Sequence, residues 1–466
     1  MKLDRLPDDV LFNIFLFLDP DNIIRLRKTN RRLHDFTWES TVWRNVHRNS
    51  TSFLPPFQST NSFQRLIVQA SPLEKTWRRM TRSGRFVHGI TYEPDLGGSA
   101  YIHLLDHGRF LLFGLEKSMA LYDLERANDD RLIFNFADPT AKFLYAQDQS
   151  STTLGTGDIY VAALVREEFA TKLVIWQLSG AESDVRRVAD LPLPPLRDQT
   201  SPNILLSNGV VVFDTETQKS IVYHIKTQRF YQFPAGETKK NPWNTYQNHT
   251  VVHISALRAI LIIHTDIQPE SPMKPPFFEF FTFPEGSSQD VLIKTHSGEC
   301  PRYFAEPRFI AFSFSHNPEP LFAEPDAMLR VSLAAIFHGM DGDHAVPVKP
   351  TAVRPFHLLL HADGTMSSHF LRFSTPPAGT SSPLSGLILT SDGVSRARAV
   401  VTLPAASSEP ASQGRAVLYD IDLETEEAIA IVGLIPTGRG TLTSFDGFRG
   451  RFCEESCGSI MVMDAL

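Results

Sequence analysis

Cysteine is scarce in this chain, with 3 in 466 residues. Cys300, Cys453 and Cys457 form an odd set, which excludes a fully paired disulfide framework and suggests a reducing compartment. Cys453 and Cys457 are also too far apart for a Cys-x-x-Cys pair, and no second pair exists to complete a zinc site. A basic excess is missing too: 45 Lys and Arg against 52 Asp and Glu leave a net charge of −7. That balance argues against a general nucleic-acid binder. Long apolar runs are absent. The stretch from Val10 to Leu18 is too short to span a bilayer as a helix. Its acidic flanks, Asp4, Asp8 and Asp9 before it and Asp19-Pro20-Asp21 after it, are unlike the basic start of a secretory signal. The expectation is therefore no signal peptide, no membrane span and no membrane partner, with the cytoplasm or nucleus as the location. In such a compartment the sequons Asn49-Ser50-Thr51 and Asn248-His249-Thr250 go unglycosylated.

What the chain does have, at its start, is helix. Pro7 suits a first helical turn, and Asp8 and Asp9 favour the positive end of the helix dipole. Leu6, Val10, Ile14 and Leu18 recur at four-residue spacing, and Leu11 and Phe15 widen that stripe. Phe12, Leu16 and Phe17 lie off it. Asp19-Pro20 ends this helix and starts a second, with Ile23, Ile24 and Leu26, which runs out near Asn30. A third begins near Arg31 with Leu33, Phe36 and Trp38, and a fourth carries Val42, Trp43 and Val46. About fifty residues of helix make only a marginal core. The first helix is too apolar for such a unit to enclose, and contiguous exposed apolar surface marks an interface. Either the downstream domain or another protein covers it.

The stretch "LPDDVLFNIFLFLDPDNIIRLRKTNRRLHDFTWESTVWRNV" resembles an F-box. It has the Leu-Pro start, acidic first turn, hydrophobic helix, Asp-Pro break, second helix leading to a basic segment, and a closing Trp43-Arg44. The resemblance implies a partner, the Skp adaptor of cullin-RING ubiquitin ligases. It also implies Leu6, Pro7, Val10, Leu11, Ile14, Phe15, Leu18, Leu26 and Trp43 as adaptor-contacting or supporting residues. The segment Leu26-Arg27-Lys28-Thr29-Asn30 departs from the pattern, since many members place a small apolar residue or Cys there.

Residues 50–84 read as a linker with a polar loop and a short helical stretch, and the basic "TWRRMTRSGR" within it reads as solvated. From 85 to 466 the period changes to that of short strands. Hairpin-like outlines return in "GRFLLFGLEKSMALYDLE", "DIYVAALVREEFATKLVIWQLSG", "GVVVFDTETQKSIVYHIKTQRFYQF", "VVHISALRAILIIHTD" with "PFFEFFTFPEG", "FHLLLHADGTMSSHFLRFS" and "GRAVLYDIDLETEEAIAIVG". Asn208-Gly209, Asp363-Gly364 and Asp392-Gly393 are tight-turn dipeptides. Tyr122, Trp176, Tyr223 and Phe281 occupy corresponding positions about fifty residues apart, a period that marks β-propeller blades. The predicted fold is thus a small all-α F-box domain, residues 1–49, followed by an all-β propeller of six to eight blades, with seven favoured. Two β-sandwiches would not explain the regular return. Tyr122-Asp123-Leu124, Ile175-Trp176-Gln177-Leu178 and Tyr419-Asp420-Ile421 look like worn WD repeats. The ending "LTSFDGFRGRFCEESCGSIMVMDAL" resembles that of large fungal families of F-box proteins with divergent propellers. Ser459 to Leu466 would close the ring on an early strand, near "FVHGITYEP" or "AYIHLLD".

Catalytic signatures are missing: no Gly-x-Ser-x-Gly, P-loop, dinucleotide fingerprint or His-Glu-x-x-His. "HGMDGDHAV", with His338, Asp341, Asp343 and His344, lacks the calcium-loop pattern and reads as a plain loop. "KKNPWNTYQNHT" has the make-up of a recognition loop, with Trp243 and Tyr246 as candidate substrate-binding residues. The alternative places Trp243 between blades. No cofactor or metal is expected. The sequence thus points to a non-catalytic substrate-recognition subunit of a Skp–cullin–F-box ubiquitin ligase, binding an unidentified target protein through the propeller. The alternatives are a scaffold outside any ligase, or a propeller with its own enzymatic or glycan-binding pocket.

Overall fold

The structure is a computed structural model. It describes residues 3–18 and 20–49, and, between residues 86 and 465, the strands and a number of their turns. The proposed linker, Trp243, Tyr246, Cys300, Cys457, Asp392-Gly393 and the loop 341–346 lie outside the described residues.

Four short helices form the N-terminal unit: α1 (Asp8–Phe15), α2 (Pro20–Arg27), α3 (Arg31–Phe36) and α4 (Ser40–Asn49). Pro7 stands just outside α1, and its carbonyl accepts the first helical bond from Leu11 N at 3.0 Å. Pro20 occupies the first position of α2, where no N–H is needed. Asn30 caps α3, its side chain accepting from Arg32 N at 2.8 Å. Among the described residues no helix is long and apolar enough to cross a membrane.

The rest is a β-propeller. Seven four-stranded antiparallel sheets follow one another in chain order among the described residues. Blades 1 to 6 take residues 101–137, 142–193, 204–232, 248–299, 312–370 and 386–436, each with its strands hydrogen-bonded in sequence order. The seventh is composite. Thr441–Asp446, Arg451–Ser456 and Ser459–Ala465 supply three strands, and Phe86–Tyr92 supplies the fourth. Phe86 pairs with Ala465 and Tyr92 with Ile460, so the C-terminal strand closes the ring on the first of the two expected partners. Closure leaves no blade at an open end of the array.

The second strands of blades 1 and 3 are apolar along most of their length because both their faces are covered. In Phe110–Leu115 of blade 1, Phe110 and Leu112 pack toward blade 2, whereas Leu111 and Phe113 pack toward blade 7. Opposite faces of one strand thus serve two seams. The aromatics recurring in the sequence share one job. Tyr122, Trp176, Tyr223 and Phe281 all lie on the third strand of their blade and face the preceding blade. Trp176 meets Phe134 and Phe136 at 6.1 and 5.7 Å, and Phe281 meets Phe233 at 4.9 Å.

The Asp of the WD-like Tyr122-Asp123 pair is structural. Asp123 is buried, accepts from Arg109 at 2.9 Å, and accepts from Glu125 N at 3.1 Å. Blade 7 repeats the device: Arg451 grips Asp464 with bonds of 2.5 and 2.8 Å and donates to Gly108 O of blade 1 at 2.5 Å. Serine hydroxyls also stitch inner strands together. Ser207 Oγ accepts from His253 N, and Ser444 Oγ from Leu104 N, each at 3.0 Å.

Candidate functional site

The N-terminal unit buries one stripe of α1 and exposes another. Leu11, Phe15, Ile23, Leu33, Phe36, Val42, Trp43 and Val46 form its core. Phe15 and Phe36 are in ring contact, with centroids 5.4 Å apart. Leu6, Leu18, Ile24 and Leu26 pack around this cluster as half-buried residues. The inward stripe is therefore Leu11–Phe15–Leu18. Pro7, Val10, Ile14 and Phe17, spaced three, four and three residues apart, follow a second helical stripe. Along it Pro7 is exposed, Val10 is 37% exposed, Ile14 is half-buried and Phe17 is 88% exposed.

This revises the single stripe read from spacing. Leu11, Phe15 and Trp43, among the implied adaptor residues, are core and support the surface from beneath. Pro7 and Val10 are exposed, with Leu6, Ile14, Leu18 and Leu26 half-buried at the margins. Phe17, noted in the sequence only as lying off the stripe, is the most exposed large apolar side chain among the described residues. Phe17, if covered by a partner, would contribute about 1.5–3 kcal/mol of apolar transfer energy before association costs, and the less exposed Val10 and Ile14 correspondingly less.

The unusual Arg27 explains how so small a unit holds this face. Its guanidinium donates to Thr37 Oγ1 at 2.9 Å and Thr37 O at 3.1 Å, while lying 4.6 Å from the Trp38 ring centroid. Arg27 thereby ties the end of α2 to the α3–α4 turn, a task that a small apolar residue would leave to packing alone. Arg32 does the same for the N-terminal segment, donating to Leu6 O at 2.9 Å and pairing with Asp8 at 2.5 Å.

In the propeller, a chain of ionisable side chains crosses all four strands of blade 4. His249 Nδ1 lies 2.9 Å from His264 Nδ1, on residues directly opposite in register. His264 Nε2 lies 3.0 Å from Glu279, and Lys294 donates to the other Glu279 oxygen at 2.5 Å. Desolvation would raise the Glu279 carboxyl, but the His264 and Lys294 hydrogen bonds outweigh it and hold it below the usual range. Burial keeps both imidazoles neutral, pulling His249 down to about 3 with help from His264, and lowering His264 despite Glu279. Sequence reasoning missed this group because strand register, not local spacing, brings it together. Cys453 is buried within its strand, where burial pushes the thiol up and keeps it protonated.

The family described as F-box-like matches residues 3–49. Among solved structures, the chain is similar to the WD40 domain of SCAP from fission yeast, at 11% identity and a TM-score of 0.37, covering 78% of this chain and 83% of that one. It is also similar to the yeast heterotrimeric Nup82-Nup159-Nup116 nucleoporin complex, at 8% identity and a TM-score of 0.40, covering 80% and 99%. A third is BamB from Moraxella catarrhalis, at 11% identity and a TM-score of 0.36, covering 82% and 100%. No curated protein matches the chain.

Proposed function

We propose that this chain is a substrate-recognition subunit of a Skp–cullin–F-box ubiquitin ligase. In this reading residues 1–49 dock on the Skp adaptor, residues 50–84 link, and the propeller at 85–466 holds a target protein. The observation that carries it is the outward stripe Pro7–Val10–Ile14–Phe17 on a helical unit that matches the F-box-like family. Leu6, Leu18 and Leu26 border the contact, and Leu11, Phe15 and Trp43 hold it in shape. The chain itself contributes no covalent step. Its catalytic contribution is proximity, since holding the target beside a ubiquitin-charged enzyme raises their effective concentration. The compartment follows from the partner, the cytoplasm or nucleus.

The test is capture of the full chain by purified Skp adaptor. Val10→Asp with Phe17→Ser should abolish capture while the melting curve stays within a few degrees of wild type, because both side chains are exposed. Capture equal to wild type overturns the docking face. Adaptor capture without cullin co-purification would place the protein as a scaffold outside a ligase.

A further inference from the structure

We propose that blades 3 and 4 build an oxyanion-binding site from His224, Lys226 and Arg258, which takes a single carboxylate or phosphate group. The three side chains come from two connections that the fold sets side by side. His224 ends the third strand of blade 3, and Lys226 lies in the turn that follows it. Arg258 comes immediately before the second strand of blade 4. Phe283 joins the two connections: its N–H donates to Arg258 O at 2.9 Å, and its ring stands 5.2 Å from the His224 ring. The Arg258 guanidinium donates to the next carbonyl, Pro284 O, at 3.4 Å.

The donors here lack a counter-charge. Thr227 N–H donates to His224 Nδ1 at 3.2 Å, which leaves the imidazole proton on Nε2. That Nε2–H has no acceptor among the described residues, although the ring is half-buried against His253 and Phe283. Lys226 and Arg258 are exposed, and no carboxylate among the described residues pairs with either. Glu285, one residue beyond Pro284, is exposed and forms no ion pair with them. Burial lowers the His224 imidazole, outweighing a backbone hydrogen bond that raises it, and the Lys226 and Arg258 charges lower it further. The ring is therefore a neutral N–H donor in a positive field.

Backbone conformation points the same way. Gln228 (φ 54°) and Arg258 (φ 50°) are the two non-glycine residues with positive φ among the described residues, and they end these same two connections. Glycine suits that conformation best, so an arginine held there marks a side chain kept for its charge. Two cations and one ring N–H match one oxyanion, with charge-assisted hydrogen bonds to each oxygen. They do not make the long phosphate track that a nucleic acid needs, and the chain's net charge of −7 agrees. A protein carboxylate and free phosphate share this chemistry.

The test is titration of the full chain with inorganic phosphate at fixed pH and ionic strength. The readout is the carbon-13 signal of the labelled His224 ring, assigned with His224→Gln. Phosphate should move this signal saturably, and Lys226→Gln with Arg258→Gly should weaken binding about tenfold or more. Both changes fall on exposed turn residues, and glycine relieves the positive φ, so the melting curve should hold. A blocked hexapeptide of glutamate is the second arm. Saturation by both ligands extends the site to protein carboxylates, and saturation by phosphate alone assigns it to phosphate-type anions. No saturable shift with either, or unchanged affinity in the double variant, overturns the site. If the double variant melts well below wild type, Lys226→Gln alone decides, and unchanged affinity there overturns the proposal.

Discussion

The indole N–H of Trp43 donates to the Thr37 carbonyl at 2.6 Å, and both residues are fully buried. Arg27 donates to the same carbonyl at 3.1 Å, so one peptide oxygen joins α2, the α3–α4 turn and α4. Trp43→Phe keeps most of the ring but removes one donor, which should cost about 1 kcal/mol. Trp43→Ala also opens a cavity and should cost about 3–5 kcal/mol, more than so small a core can lose. Hydrogen exchange over residues 8–46 of the full chain reads both. Protection unchanged in Trp43→Ala would mean that the helices are held by something other than this core.

Much of the helical unit was legible because its signals are local. Pro7 and Pro20 start helices, the second helix runs out near Asn30, and the aromatic and aliphatic residues fall at helical spacing. The partition of α1 into two stripes was not. Val10 and Leu11 are adjacent and equally apolar, and only the positions of Phe36 and Trp43 decide that Leu11 turns inward. In the propeller, Tyr122, Trp176, Tyr223 and Phe281 gave away the repeat because each fills the same place against the preceding blade. The Arg109–Asp123 and Arg451–Asp464 pairs escaped notice because each links positions more than ten residues apart. The same holds for the blade 4 histidines, which strand register alone brings into contact.

Trp176 supplies a direct test of the inter-blade role. Trp176→Ala removes the ring that packs against Phe134 and Phe136 of blade 1 and should cost about 3–5 kcal/mol in a thermal or urea melt. Trp176→Phe should recover most of that loss. If both variants melt like wild type, the seam between blades 1 and 2 does not depend on this aromatic.

Ring closure should dominate thermal stability. Removing residues 459–466 takes away Ile460, Val462 and Met463, all buried, at about 2 kcal/mol each. It also leaves Phe86–Tyr92 without the strand it pairs with in blade 7. The truncated chain should melt well below wild type or fail to remain soluble. An unchanged melting curve would show that blade 7 closes without this strand.

Acid should weaken the propeller partly through His103. Burial holds its imidazole at about 4, below the ordinary 6.5. Between those values the unfolded chain binds a proton that the folded chain refuses, so stability falls as pH drops from about 6.5 toward 4. His103→Gln should flatten that part of the stability–pH curve. A variant with the wild-type slope would assign the loss to other groups.

Blades 4 and 5 meet closely enough at their outer strands to require a glycine. Ser297 forms a parallel bridge with Thr365, and its N–H donates to Gly364 O at 3.2 Å. One residue on, a Cβ at Gly298 would stand 2.7 Å from the Met366 carbonyl oxygen. That oxygen belongs to backbone and cannot swing aside, so Gly298→Ala must push two blades apart. In an open strand the same change would stabilise by about 0.4–1 kcal/mol through the unfolded state. Here overpacking should outweigh that gain and cost about 1–3 kcal/mol. The melting temperature should fall by several degrees, with faster hydrogen exchange confined to Ile293–Glu299 and Met366–Phe370. A raised melting temperature would mean that the two blades separate freely at this edge.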